Sequence, residues 1–109
     1  MTGKLSAQDT TSTTCSTSTP GNVFFTGNIS GTPGTTVRWY WYVAFSTGTP
    51  TSAQGEWASV TLDARGNGAV QFYGWSNVSN TMTGSVLVDP MDGGKPFQLS
   101  SAVGTLTCR

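Results

Sequence analysis

The nine residues Val37-Arg-Trp-Tyr-Trp-Tyr-Val-Ala-Phe45 hold two of the four Trp and two of the three Tyr in the chain. They also alternate. In an extended strand Val37, Trp39, Trp41, Val43 and Phe45 point to one side, and Arg38, Tyr40, Tyr42 and Ala44 to the other. Large apolar groups on one face and polar-tipped aromatics on the other mark the centre of a sheet. Tyr40 and Tyr42 are left asking for a partner.

The rest of the chain repeats this signal in weaker form. Asn22 to Ser30 alternates, with Val23, Phe25, Gly27 and Ile29 on one face. Gly31-Thr-Pro-Gly34 is a turn built from residues that turn locally. After the aromatic strand comes a long loop from Ser46 to Gly55 containing Pro50, then a strand from Trp57 to Leu62 with Ala58, Val60 and Leu62 in phase. Asp63-Ala-Arg-Gly-Asn-Gly68 predicts a hairpin turn. Ala69 to Trp75 sets Val70 and Phe72 on one face against Gln71, Tyr73 and Trp75 on the other. Ser85 to Val88 is a short apolar strand, Asp89 to Pro96 a Gly-rich turn, and Phe97 to Cys108 a last strand. No window carries a helical period. Six or seven short strands separated by turn signals predict an antiparallel β-sandwich. Residues 1–14 form a polar Ser/Thr-rich arm whose buriable groups are Leu5 and Ala7, either a weak edge strand or a lead-in. The expected domain is 15–109.

Composition limits what such a sandwich does. Charged residues make up 9% of the 109 residues and the formal net charge is zero, against about 25% in an ordinary soluble domain. Self-repulsion is weak, which favours self-association or coverage by a partner. Lys4, Arg38, Arg65, Lys95 and Arg109 are scattered, so no basic face for nucleic acid is expected. No apolar run approaches the ~20 residues of a membrane helix, so insertion is not expected. The residues after Met1 lack the apolar core of a signal peptide. Either a secretion signal was removed, or the chain reaches its destination without one, as virion proteins do by lysis.

Cys15 and Cys108 bracket most of the presumptive core, and the chain has no His. This spacing fits neither a redox C-x-x-C nor a zinc knuckle. A disulfide closing so long a loop would stabilise by about 4 to 5 kcal/mol and belongs in an oxidising compartment. Two buried thiols in a reducing one are the alternative.

Several segments together resemble immunoglobulin-like domains of secreted actinobacterial proteins. They are Cys15, Val23-Phe-Phe-Thr-Gly-Asn-Ile-Ser30, Pro33-Gly-Thr-Thr-Val-Arg-Trp-Tyr-Trp41 and the ending Ser101-Ala-Val-Gly-Thr-Leu-Thr-Cys108. The resemblance implies an immunoglobulin-like antiparallel β-sandwich of about seven strands, a Cys15–Cys108 cystine and Trp41 as the core Trp. Trp57, Tyr73 and Trp75 have no counterpart in that pattern.

The inventory of reactive groups disfavours catalysis. Its acids are Asp9, Glu56, Asp63, Asp89 and Asp92, and no Ser or Cys has a visible activating base. Asp63, Asp89 and Asp92 sit in turns, where Asp bonds local backbone. Two carboxylates in Asp89-Pro-Met-Asp92-Gly-Gly are too few for calcium. No enzyme activity, metal or cofactor is expected.

Surface aromatics carry the remaining signal. With immunoglobulin-like strand order, the aromatic strand pairs with that of Val86 and Val88, and the Phe24 and Tyr73 strands adjoin in the other sheet. Arg38, Tyr40 and Tyr42 then decorate one outer face, and Phe24, Tyr73 and Trp75 the opposite one. Exposed aromatic patches mark interaction surfaces. Two functions follow: a structural or assembly module of an extracellular fibre, cell surface or virion, partnered by itself or another surface protein, and a carbohydrate-binding module. Asn28-Ile-Ser and Asn77-Val-Ser match the glycosylation sequon, which matters only in a eukaryotic secretory route.

Overall fold

A computed structural model of the chain describes residues 1–12, 15, 16, 18–46, 54–91 and 94–108. Its strands are β1 (Thr2–Gln8), β2 (Thr10–Ser12), β3 (Gly21–Ser30), β4 (Thr36–Phe45), β5 (Gly55–Thr61), β6 (Asn67–Ser76), β7 (Asn80–Asp89), β8 (Phe97–Gln98) and β9 (Ala102–Cys108). They build two sheets in the immunoglobulin-like manner, β1-β3-β6 facing β2-β9-β7-β4-β5, with β8 also on β7. All pairings are antiparallel except β2 with β9. The aromatic strand, β4, is central in its sheet, between β5 and β7.

Among the described residues there are nine strands rather than seven because two predicted segments break. Within the segment predicted to be an arm, β1 lies along β3 and packs Leu5 and Ala7 against the core. At Asp9 the chain changes sheets, and the Asp9 carboxylate accepts the Thr105 N–H at 2.9 Å. That bond fixes the approach of β2 to β9. The last strand divides at a bulge: Gly84 to Leu87 of β7 spans the stretch from Gln98 to Ala102, one residue longer, and Leu99 turns into the core.

Two further expectations are corrected. Asp63 to Gly68 does not close a hairpin, since β5 and β6 belong to different sheets. Gly66, at φ 81°, allows the corner, and its carbonyl accepts the Gly31 N–H at 2.8 Å. The core Trp is Trp39, 6% exposed, whereas Trp41 is half-buried. Both point inward, as alternation requires. Trp41, however, lies opposite Glu56 near the start of edge strand β5, where cover runs out.

The core joins the sheets through Phe72. Its ring stacks on Phe25 at 4.9 Å and on Trp41 at 5.1 Å between centroids, and meets Trp39 at 6.3 Å. Fully buried Val23, Ile29, Val37, Met82, Val86, Val88 and Leu106 complete it. Gly84 is glycine because the Phe25 ring lies where a side chain would begin. The buried Trp39 indole N–H has no acceptor among the described residues, a cost of about 1–3 kcal/mol that packing must offset. A Cys15–Cys108 disulfide, with Cα atoms 5.6 Å apart, ties the entry of β3 to the end of β9. The cystine points to a non-reducing compartment. No described helix is long and apolar enough to cross a membrane.

Candidate interaction surfaces

Strand pairing assembles the first surface on the outside of the larger sheet. Register sets Tyr40 opposite Trp57 and Arg38 opposite Asp89. The Tyr40 and Trp57 rings lie 5.3 Å apart, and the Arg38 guanidinium sits 4.6 Å from the Trp57 centroid. Arg38 is held from its other side by a 3.0 Å ion pair with Asp89. Asp89, Arg38, Trp57 and Tyr40 therefore form a continuous row, and exposed Tyr42 extends it. Asp89, Arg38, Trp57 and Tyr40 lose little side-chain freedom on contact, because each is already held by a neighbour. The Arg38 hydrogen bond, aided by the Met91 N–H, holds the Asp89 carboxyl below its ordinary value. Its stabilising effect is present above the ordinary carboxylate range and is lost as pH falls through the lowered value.

Phe24 and Tyr73 make the second surface. They lie opposite each other on β3 and β6, with centroids 6.0 Å apart, and are 49% and 50% exposed. Trp75 is half-buried one repeat further along. Tyr73 and Trp75 separate two depressions. One, of about 330 Å³, opens at the sandwich side between Trp41, Gln54, Gly55 and Glu56. The other, of about 500 Å³, is lined by Ser18, Thr19, Pro20 and Asn22.

Gln54 positions this region although no sequence pattern marks it. Its side-chain amide accepts the Trp75 N–H and donates to the Trp75 carbonyl, both at 3.0 Å, while its own carbonyl accepts the Val43 N–H. One buried side chain thus acts as a strand partner for β6 and joins the two sheets. Gln54→Ala is expected to cost about 1–3 kcal/mol through the unpaired Trp75 backbone groups. Denaturant titration measures the loss, and Trp fluorescence should report a more solvated Trp75.

The sequence-predicted residues therefore fall in two places: Arg38, Tyr40 and Tyr42 on one face, and Phe24, Tyr73 and Trp75 on the other. Trp57, 45% exposed, is the member sequence reasoning missed. Its signal was available, because Ala58, Val60 and Leu62 inward require Trp57 outward.

The acids mostly serve the fold. Asp63 accepts the N–H groups of Asn67 and Arg65, which, with Asn67 the larger cause, hold its carboxyl below the ordinary value. Asp9 and Asp89 have the partners given above. Glu56 lines the side depression, and Asp92 lies outside the described residues. No three His, Cys, Asp or Glu residues group as metal ligands among the described residues.

The molecule is thus an immunoglobulin-like β-sandwich bearing aromatic groups on both outer faces. No family model and no curated protein matches the chain. Among solved structures, it is similar to the ASH/PapD-like domain of human CEP192 (PapD-like domain 7), with 13% identity and a TM-score of 0.42, over 97% of this chain and 87% of that one.

Proposed function

We propose that the chain is a non-enzymatic assembly module of an extracellular fibre, a cell surface or a virion, and that its aromatic faces bind protein. The observation that carries this reading is the double exposure: Tyr42 and Trp57 on one sheet, Phe24 and Tyr73 on the other, each 45–50% exposed. Near-zero charge removes the repulsion that normally keeps such faces apart. The shape agrees with a role in extended structures. The body measures 45 × 23 × 21 Å.

Tyr42→Ala with Trp57→Ala, and separately Phe24→Ser with Tyr73→Ser, test the faces by sedimentation velocity over a range of concentrations. At least one pair should weaken association about tenfold or more, since buried aromatic anchors dominate interface energetics. Association unchanged in both, with thermal melts confirming the fold, removes the proposal.

The depressions on either side of Tyr73 and Trp75 favour a second reading, in which an oligosaccharide stacks across the ridge and Glu56 and Asn22 bind hydroxyls. Retention on insoluble polysaccharide that Trp75→Ala abolishes would support it. Equal retention of both proteins would remove it.

A further inference from the structure

We propose that β6 pairs with β6 of a second copy, joining two three-stranded sheets into one six-stranded sheet. This rests on the assembly reading and adds to its aromatic faces a partner, a second copy of the chain, and a further contact along a sheet edge. The argument begins at Trp75. Because its N–H and C=O meet Gln54, they point away from β3. Backbone direction repeats every second residue, so Tyr73, Gln71 and Ala69 aim their N–H and C=O groups the same way. Among the described residues no strand lies beyond them, as β6 is the sheet's edge.

An edge of this kind is a template for another strand, and proteins ordinarily guard it with Lys, Pro or a bulge. Here β6 reads Asn-Gly-Ala-Val-Gln-Phe-Tyr-Gly-Trp-Ser, ten residues with no charge and no Pro, in unbroken register with β3. The other edges differ. β1 carries Lys4, β5 carries Glu56, and β2 is three residues long. Gln54 closes the β6 edge only at Trp75, which sets the far limit of pairing.

The occupant follows from self-complementarity. An antiparallel two-fold pairing centred on Gln71 engages every open position at once: Gln71 faces its own copy, and each Ala69 faces a Tyr73. A small side chain then meets a large one on the outer face, two Gln amides can bond to each other, and no charges oppose. A centre shifted along the strand leaves an open residue unpaired.

Charge at the dyad tests the register. Gln71 is exposed, so Gln71→Lys and Gln71→Glu should melt like wild type. Each alone should weaken self-association at least about tenfold through like charges facing across the two-fold. Mixed, the two should form a one-to-one heterodimer by sedimentation. Amide exchange at Ala69, Gln71 and Tyr73 should slow as the wild-type concentration rises. If both charged variants associate as wild type does, while Tyr42→Ala with Trp57→Ala abolishes association, pairing through β6 is overturned and the assembly reading stands. A wild type that is monomeric at every concentration overturns both.

Discussion

Phe72→Ala should lower unfolding free energy by about 3–5 kcal/mol, the range for removing a buried aromatic ring. Among the described residues, Phe72 is the one ring that touches Phe25, Trp39 and Trp41 together, beside Phe25 in its own sheet and across to Trp39 and Trp41 of the other. Its loss leaves three large side chains facing a void that a β-framework closes poorly. At about 4–8 °C per kcal/mol for a domain of this size, the melting temperature should fall by well over 10 °C. Tyr73→Ala supplies the control. Tyr73 is the next residue in the same strand but points outward, so it should cost less than about 1 kcal/mol. Guanidinium titrations of the two variants measure the difference. Similar losses would mean that the alternation of β6 does not divide core from surface.

Breaking the cystine should have an effect of comparable size. Cys15 and Cys108 are 93 residues apart, and a loop of that length gives about 4–5 kcal/mol in the chain-entropy model, with about 2–5 measured for native disulfides. Net stability of a small domain is about 5–15 kcal/mol, so reduction should bring the protein near its unfolding threshold. Cys15→Ser with Cys108→Ser should shift the denaturant midpoint accordingly, and reductant should do the same to wild type but leave the double variant unchanged. Equal midpoints for the oxidised and reduced protein would show that the cross-link does not hold the fold. The buried Trp39 N–H, without an acceptor among the described residues, adds to the cost the cross-link offsets.

Much of this was legible in the sequence because a strand's period of two separates faces without knowledge of its neighbours. Val23, Phe25 and Ile29, Val37, Trp39 and Val43, and Val70 and Phe72 are buried as their alternation requires. What alternation cannot supply is position across the sheet. Trp39 and Trp41 share a face, and only the pairing with β5 decides which lies under cover. The meeting of Tyr40 with Trp57 depends on the register of strands separated by a long loop. The Asp63–Gly68 turn reads the same from sequence whether it joins paired strands or crosses between sheets. Gln54 was invisible for a different reason: its role comes from one edge position of β6, and a polar residue in a Ser/Thr-rich loop carries no period. The turn residues Asp63 and Asp89 were legible, because Asp bonding to backbone two residues on is a local property.

The solution mass of the unaltered, oxidised chain across a wide concentration range tests the central claim most directly. Light scattering should give a mass that rises above the 11.4 kDa monomer as concentration increases. A mass fixed at the monomer value to the limit of solubility would contradict a domain whose uncharged edge and aromatic faces are built for assembly.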